Sequence, residues 1–124
     1  RLIYSAADLF VLPSREDNQP QTGLESMACG TPVVGFRAGG VPEYVRHGKT
    51  GLVATMGDEV EMAGQIRRLI NDQTLRSRLA QNARLMIESE FTAELQAKRY
   101  IELYADVGNR ALPIEQQAMV AHAA

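Results

Sequence analysis

Apolar positions along this chain change their rhythm once, near Asp58. Before that point they gather at residues 9–12 (LFVL, a continuous run closed by Pro13 and Ser14), 31–36 (TPVVGF) and, after a turn, 49–53 (KTGLV). Runs of this length without alternation predict strands buried on both faces, the habit of parallel sheets. A polar loop and an apolar helical segment at 24–29 separate the first two runs, so a right-handed strand–helix–strand unit is expected. At 37–45 (RAGGVPEYV) two adjacent glycines permit a turn that other residues resist, and Pro42 can open a short helix.

Beyond Asp58 the spacing is helical. Val60, Ala63, Ile66, Leu69 and Ile70 form one stripe; Leu75, Leu79, Ala83 and Met86 repeat it after the polar joint at 71–74. Leu95, Ile101, Leu103, Tyr104 and Val107 predict a further helix after a break near Thr92. These stripes read as core-facing sides of packing helices, with Arg67, Arg68 and Arg76 on solvated faces. Gly108 and Pro113 interrupt the pattern, and the Ala-rich end (IEQQAMVAHAA) predicts a loose tail or marginal helix. The fold class is therefore α/β: the C-terminal part of a doubly wound, Rossmann-like parallel sheet domain, followed by packing helices. Residues 1–107 are assigned to it and 108–124 to the tail. Ligands are expected at the C-terminal ends of its strands. The chain has no initiating Met and enters on RLIYSAADLF, a helix end running into a strand, so further strands are expected before Arg1.

Composition narrows the function classes. A chain of 124 residues with 45% hydrophobic content suits one globular domain, and a formal charge of −2 provides no overall attraction to nucleic acid. The single Cys29 cannot form an internal disulfide and reads as a small buried hydrophobe. No apolar run approaches the ~18 residues of a membrane span. The first residues also lack the layout of a signal peptide, which makes the reading cytoplasmic, with a membrane-peripheral location left open.

Candidate chemistry concentrates in residues 17–30, DNQPQTGLESMACG, where seven residues separate Asp17 from Glu25. Two helix registers compete. With Thr22 as N-cap, Thr22 and Glu25 make a T-x-x-E capping box and Glu25 is structural. With Pro20 at the first helical position, the preferred register, Glu25 lies more than a turn inside, and its carboxylate leans over the turn carrying Gln21 and Thr22. Free backbone N–H groups in that turn favour an anion such as a diphosphate, and Gly23 lets a ligand or neighbouring backbone approach closely. A carboxylate beside the same site accepts hydrogen bonds from neutral hydroxyls, of which a ribose has two adjacent. Together these features suggest a nucleotide diphosphate sugar.

Elsewhere the signals are weaker. Gly39, Gly40 and Glu43 could line the same pocket, but a tight turn with a short helix explains them. His47 has no partner at useful spacing and reads as a surface-loop residue; His122 lies in the tail. No His, Cys, Asp and Glu constellation for a metal stands out.

The longer string PSREDNQPQTGLESMACGTPVVGFRAGGVPEYVRHGKTGLV, residues 13–53, resembles the C-terminal donor-binding domain of family 4 (group 1) retaining GT-B glycosyltransferases. Pro13, Ser14, Glu25, Met27, Ala28, Cys29, Gly30, Pro32, Val33, Val34, Gly39, Gly40, Pro42, Glu43, Gly48, Gly51 and Leu52 fall at matching places. The commoner family pattern has Glu at the place of Asp17 and Gly-Phe-Gly at Asn18, Gln19 and Pro20; this chain resembles an Asp-Asn-x-Pro variant. The resemblance implies Asp17 as the catalytic, sugar-contacting carboxylate and Glu25 as the ribose ligand. It assigns donor binding to Asp17, Asn18, Gln19, Gln21, Thr22, Gly23, Leu24 and Glu25. It further implies metal-independent, cofactor-free transfer, with the nucleotide diphosphate sugar as donor substrate. The phosphate-binding Arg and Lys would lie upstream, and a glycan or lipid acceptor would be held by an absent N-terminal domain. Such a fragment is expected to be inactive alone, and the full protein to serve polysaccharide or envelope assembly in a bacterium, with peripheral membrane association left open. The alternatives are a non-catalytic nucleotide-binding or self-association module on the same scaffold, and an epimerase.

Overall fold

The computed structural model describes residues 1–109. It divides into two units, Arg1–Phe91 and the segment from Thr92 onward. In the first, α1 (Leu2–Ala6) leads into β1 (Phe10–Leu12), α2 (Gln21–Ala28), β2 (Val33–Phe36), α3 (Val41–Tyr44), β3 (Gly51–Ala54), α4 (Glu59–Asn71) and α5 (Gln73–Glu90). The strands lie in the order β1-β2-β3 and pair in parallel, with Phe10 opposite Val33 and Val34 opposite Leu52. All three expected strands are present. The third starts at Gly51 rather than Lys49 because Thr50 belongs to the preceding turn: its hydroxyl donates to the Tyr44 carbonyl at 2.6 Å and accepts from the Arg46 N–H at 2.9 Å.

Neighbouring strand residues face opposite ways, and the unbroken apolar run of β2 accordingly serves two cores. Val33 packs with Leu12, Met27, Val41, Tyr44 and Val53 on one side of the sheet; Val34 packs with Leu52, Met62 and Leu69 on the other. Helix α5 belongs to both, placing Ala83 and Met86 in the first cluster and Leu75 and Leu79 in the second. The stripe expected on α5 is thus buried throughout.

Helix α4 departs from expectation. Its inward residues are Met62, Ile66 and Leu69, whereas Ala63 is exposed and Val60 and Ile70 are 80% and 58% exposed. At ~100° per residue Val60 lies ~160° around the helix from Met62, on the opposite side. Both α4 and α5 begin on aspartate caps: Asp58 and Asp72 accept from the N–H groups of Glu61 and Leu75, each at 2.8 Å. Arg76 also departs from expectation. Its Nη1 donates to the Leu69 and Ile70 carbonyls at 2.8 and 3.1 Å, closing the C-terminus of α4, and its Nη2 stands 3.4 Å from Asp8.

Between β2 and α3 the chain turns at Gly39, whose φ of +51° favours glycine. A Cβ at Gly39 would overlap the Asp17 carbonyl oxygen and one at Gly40 the Asn18 carbonyl oxygen. The Gly40 N–H donates to the Asp17 carbonyl at 3.3 Å. The diglycine turn is therefore a seat for the 17–18 backbone.

In the second unit, α6 (Ala93–Asn109) starts after Thr92, whose Oγ1 accepts from the Leu95 N–H at 3.2 Å. Ile101, Leu103, Tyr104 and Val107 are exposed rather than core-facing. Helical spacing sets an apolar stripe without determining what packs against it. Helix α6 runs through Gly108, where a break was expected; the tail from residue 110, with Pro113 and His122, lies outside the described residues. Among the described residues no helix is long and apolar enough to cross a membrane.

Two substitution pairs check these packing arguments by urea denaturation. Arg76→Met should destabilise the domain by about 1.5 kcal/mol through the two lost carbonyl bonds. Asp8→Asn should cost under about 0.5 kcal/mol, because that carboxylate is exposed. Gly40→Ala should destabilise by about 1–3 kcal/mol by overpacking against the Asn18 carbonyl. Gly64→Ala, inside α4 with open space around it, should stabilise by about 0.5–1 kcal/mol.

Candidate functional site

Two loops, 13–20 after β1 and 37–40 after β2, leave the sheet at the C-terminal ends of adjacent parallel strands. Ligands of such sheets gather at that edge. Asp17 and Asn18 are exposed in the first loop and Gln19 is half-buried. The Asp17 Oδ1 accepts from the Gln19 N–H at 3.1 Å, a local side-chain turn that orients the carboxylate while its backbone rests on Gly39 and Gly40.

Helix α2 begins one residue later than the preferred register, with buried Pro20 at the N-cap and Gln21 and Thr22 as its first two residues. Thr22 is inside the helix and no side chain caps the end, which overturns the capping-box alternative. Helix geometry leaves the first N–H groups without an internal acceptor, and the terminus carries a partial positive charge. The Gly23 N–H turns back to the Pro20 carbonyl at 3.1 Å, so Gln21 and Thr22, both exposed, offer the outward donors.

The close approach that Gly23 permits is taken by Tyr44. A Cβ on Gly23 would come to 2.6 Å from the Tyr44 hydroxyl, which donates to the Pro20 carbonyl at 3.4 Å. Tyr44 is fully buried and meets Phe91 edge-on at 6.5 Å. Burial, with a smaller contribution from the Asp17 charge, pushes its hydroxyl up to about 12, so it stays a protonated donor. Leu24 is half-buried against the core cluster that contains Tyr44, and its side chain faces packing rather than the loop.

Glu25 is exposed at the fifth helical position, one turn after Gln21 on the same side of the helix. Its Oε2 accepts from the Tyr4 hydroxyl of α1 at 3.1 Å. Partial burial, and then the Glu25 bond and charge, raise that hydroxyl above the usual tyrosine range. An open cleft of about 450 Å³ adjoins the pair, lined by Arg1, Tyr4, Glu25, Ala28 and Cys29. Cys29 is thus half-buried at the cleft rather than in the core, because it caps the C-terminus of α2. Ser26, fully buried, donates to the Thr31 carbonyl at 3.1 Å and receives the Thr31 N–H on its own carbonyl at 3.0 Å; Thr31 in turn donates its hydroxyl to the Tyr4 carbonyl at 2.6 Å.

The structure brings Asp17, Asn18, Gln19, Gln21, Thr22 and Glu25 together on one loop and one helix face. Gly39 and Gly40 support that loop from below. His47 is exposed, and its Nδ1 accepts from the Val53 N–H at 3.1 Å, tying the α3–β3 loop to the strand. Among the described residues no group of three or more His, Cys, Asp and Glu is placed to hold a metal ion. Sequence reasoning missed Tyr4 and Tyr44. Their partners lie 21 and 24 residues away, and no local spacing signals either contact.

Residues 1–86 match the family described as glycosyl transferases group 1. The N-acetyl-alpha-D-glucosaminyl L-malate synthase of Bacillus anthracis is 34% identical over 105 residues, which are 85% of this chain and 28% of that protein. The lipopolysaccharide core biosynthesis glycosyltransferase LpsE of Rhizobium meliloti is also 34% identical, over 85% of this chain and 31% of its own length. The chain therefore spans under a third of these curated relatives. Among solved structures, sucrose-phosphate synthase from Thermosynechococcus elongatus superposes with a TM-score of 0.81 at 31% identity, covering 89% of this chain and 28% of that one. Anabaena HepE in complex with UDP superposes with a TM-score of 0.79 at 30% identity, over 84% of this chain and 29% of HepE. The α/β architecture expected from the sequence is that of the GT-B enzymes, and the chain belongs to the group 1 glycosyl transferases.

Proposed function

We propose that these residues form the donor-binding part of a retaining glycosyltransferase that moves a sugar from a nucleotide diphosphate sugar to a glycan, lipid or other acceptor. The observation that carries this reading is the grouping of an uncapped α2 N-terminus, an exposed Asp17 in the loop leading to it, and Glu25 one turn inside. HepE, 30% identical to this chain, binds UDP and UDP-glucose in its solved complexes, which supports a donor of that class.

Each group has a distinct task. The N–H groups of Gln21 and Thr22, with the positive end of α2, receive the diphosphate. Glu25 accepts hydrogen bonds from the ribose hydroxyls, and Asp17, Asn18 and Gln19 meet the sugar. Gly23 and Leu24 shape the helix start, Gly23 by admitting the Tyr44 ring and Leu24 by packing on the core. In transfer, the bond from the anomeric carbon to the diphosphate oxygen breaks, the acceptor oxygen bonds to that carbon on the same face, and the acceptor proton passes to the departing diphosphate. Negative charge grows on the departing diphosphate, where a preorganised helix terminus stabilises it without a metal ion or other cofactor. Acceptor binding and the cations that pair with the diphosphate belong to residues outside this chain. The full protein works on the cytoplasmic side, peripheral to the membrane if its acceptor is lipid-linked. Residues 1–124 alone bind donor weakly and transfer nothing.

Calorimetry and transfer assays on the full-length protein, with UDP, GDP and their sugars as probes, test these roles. Glu25→Gln should weaken nucleotide diphosphate binding about tenfold, or ~1.4 kcal/mol. Asp17→Asn should leave nucleotide affinity nearly unchanged and slow transfer about 100-fold. Wild-type transfer by both variants, each folded by circular dichroism, would remove the assignment.

A further inference from the structure

We propose that Tyr4 is a positioning residue that holds the Glu25 carboxylate ready for the ribose of the donor. The inference rests on the proposed ribose role of Glu25. Tyr4 is fixed at three points: its carbonyl accepts from Thr31 Oγ1 at 2.6 Å, its ring meets Phe10 edge-on at 5.6 Å, and its hydroxyl donates to Glu25 Oε2 at 3.1 Å. Glu25 is fixed through the same residue, because Ser26 beside it exchanges two hydrogen bonds with Thr31. Thr31 therefore sets donor and acceptor of the Tyr4–Glu25 bond in one frame.

That bond has a use beyond joining α1 to α2. Glu25 is exposed, and an exposed glutamate loses rotamer freedom when a ligand captures it. A hydroxyl already bonded to one oxygen removes part of this loss before the nucleotide arrives. The acceptor capacity is sufficient: a carboxylate has about four lone-pair sites, so a bond at Oε2 leaves Oε1 whole for a diol. The pair is open to solvent as well: Glu25 is exposed, and with Tyr4, Ala28 and Cys29 it walls a cleft of about 450 Å³. The hydroxyl stays protonated at neutral pH, its titration being raised by partial burial and by Glu25, so it acts as a donor throughout. Tyr4 thus makes Glu25 selective for a sugar bearing both ribose hydroxyls.

The test is Tyr4→Phe in the full-length protein, which keeps the ring on Phe10 and the Thr31 bond while removing the hydroxyl. Calorimetry with UDP and 2′-deoxy-UDP, and with GDP and 2′-deoxy-GDP for a guanine-selective protein, reads the result. The Kd for the ribonucleotide should rise about five- to tenfold and that for the deoxynucleotide twofold or less, and Tyr4→Phe should add no further loss to Glu25→Gln. The ratio of the two affinities within one variant is independent of the folded fraction, so modest destabilisation does not obscure it. A ribonucleotide affinity equal to wild type, or equal losses for ribo- and deoxynucleotide, would show a merely structural tyrosine and overturn the proposal. Should Glu25→Gln itself leave ribonucleotide binding intact, the ribose role of Glu25 fails and Tyr4 with it; loss in Glu25→Gln beside a silent Tyr4→Phe removes Tyr4 alone.

Discussion

Gly39 and Gly40 bring the turn after β2 so close to the backbone of Asp17 and Asn18 that a single added carbon at either position would overlap a carbonyl oxygen. The site depends on this approach. An exposed loop with polar side chains has little of its own to hold it still, and here it lies on a turn carried by the central strand of the sheet. Tyr44, four residues beyond Gly40, adds the second support by filling the space against Gly23 at the start of α2. Its bond to Pro20 is long at 3.4 Å, so burial of the ring rather than the hydrogen bond gives this contact most of its strength. Loop and helix start are thereby set by one short segment, Gly39 to Tyr44, whose Gly40, Val41 and Tyr44 are buried while Gly39 and Glu43 stay exposed beside the loop.

What the sequence made legible follows from the range of each interaction. Short apolar runs marked the first two strands because burial on both faces is written into consecutive residues, the third was found but with its start set by the Thr50 turn, and the stripe from Leu75 to Met86 marked α5. Around residues 17–25 the motif marked a candidate loop and helix start, but two registers for α2 were compatible with the local chemistry. The structure starts α2 at Gln21, with Gly23 buried against the Tyr44 ring. The stripe on α4 went astray for a related reason: apolar residues on both sides of that helix satisfy a helical period, and only the sheet determines that Met62 and Leu69 face inward. Arg76, Tyr4 and Tyr44 were illegible because each acts on a backbone or carboxylate group in a different element.

Helix α2 divides its work by face. Its buried side carries Gly23, Ser26 and Met27, which fix it to Tyr44, Thr31 and the first core cluster. Its exposed side carries Gln21, Thr22 and Glu25. A helix of eight residues is too short to be stable by propensity, so its exposed donors are only as ordered as the buried side makes them. Ser26 is central to that order. As a fully buried polar residue it would destabilise the core if unpaired, and its reciprocal bonds with Thr31 turn that liability into a fixed connection between the end of α2 and the entry to β2.

The two carboxylates also bear on which anions the α2 terminus would accept. Unit charges several ångströms apart in a largely aqueous setting repel by about 0.5–1 kcal/mol, comparable to what an exposed helix terminus gains from one charge. Asp17 and Glu25 would therefore offset much of the attraction for a bare phosphate. A nucleotide diphosphate sugar changes the balance, because it brings neutral hydroxyls on both sides of its phosphates and each hydroxyl converts a repelling carboxylate into an acceptor. Under the proposed reading, the same acidic pair that makes the site poor for inorganic phosphate makes it suited to a phosphate flanked by two sugars. Selectivity then comes from the order of groups along the ligand, which the loop held by Gly39 and Gly40 and the helix held by Tyr44 keep in register.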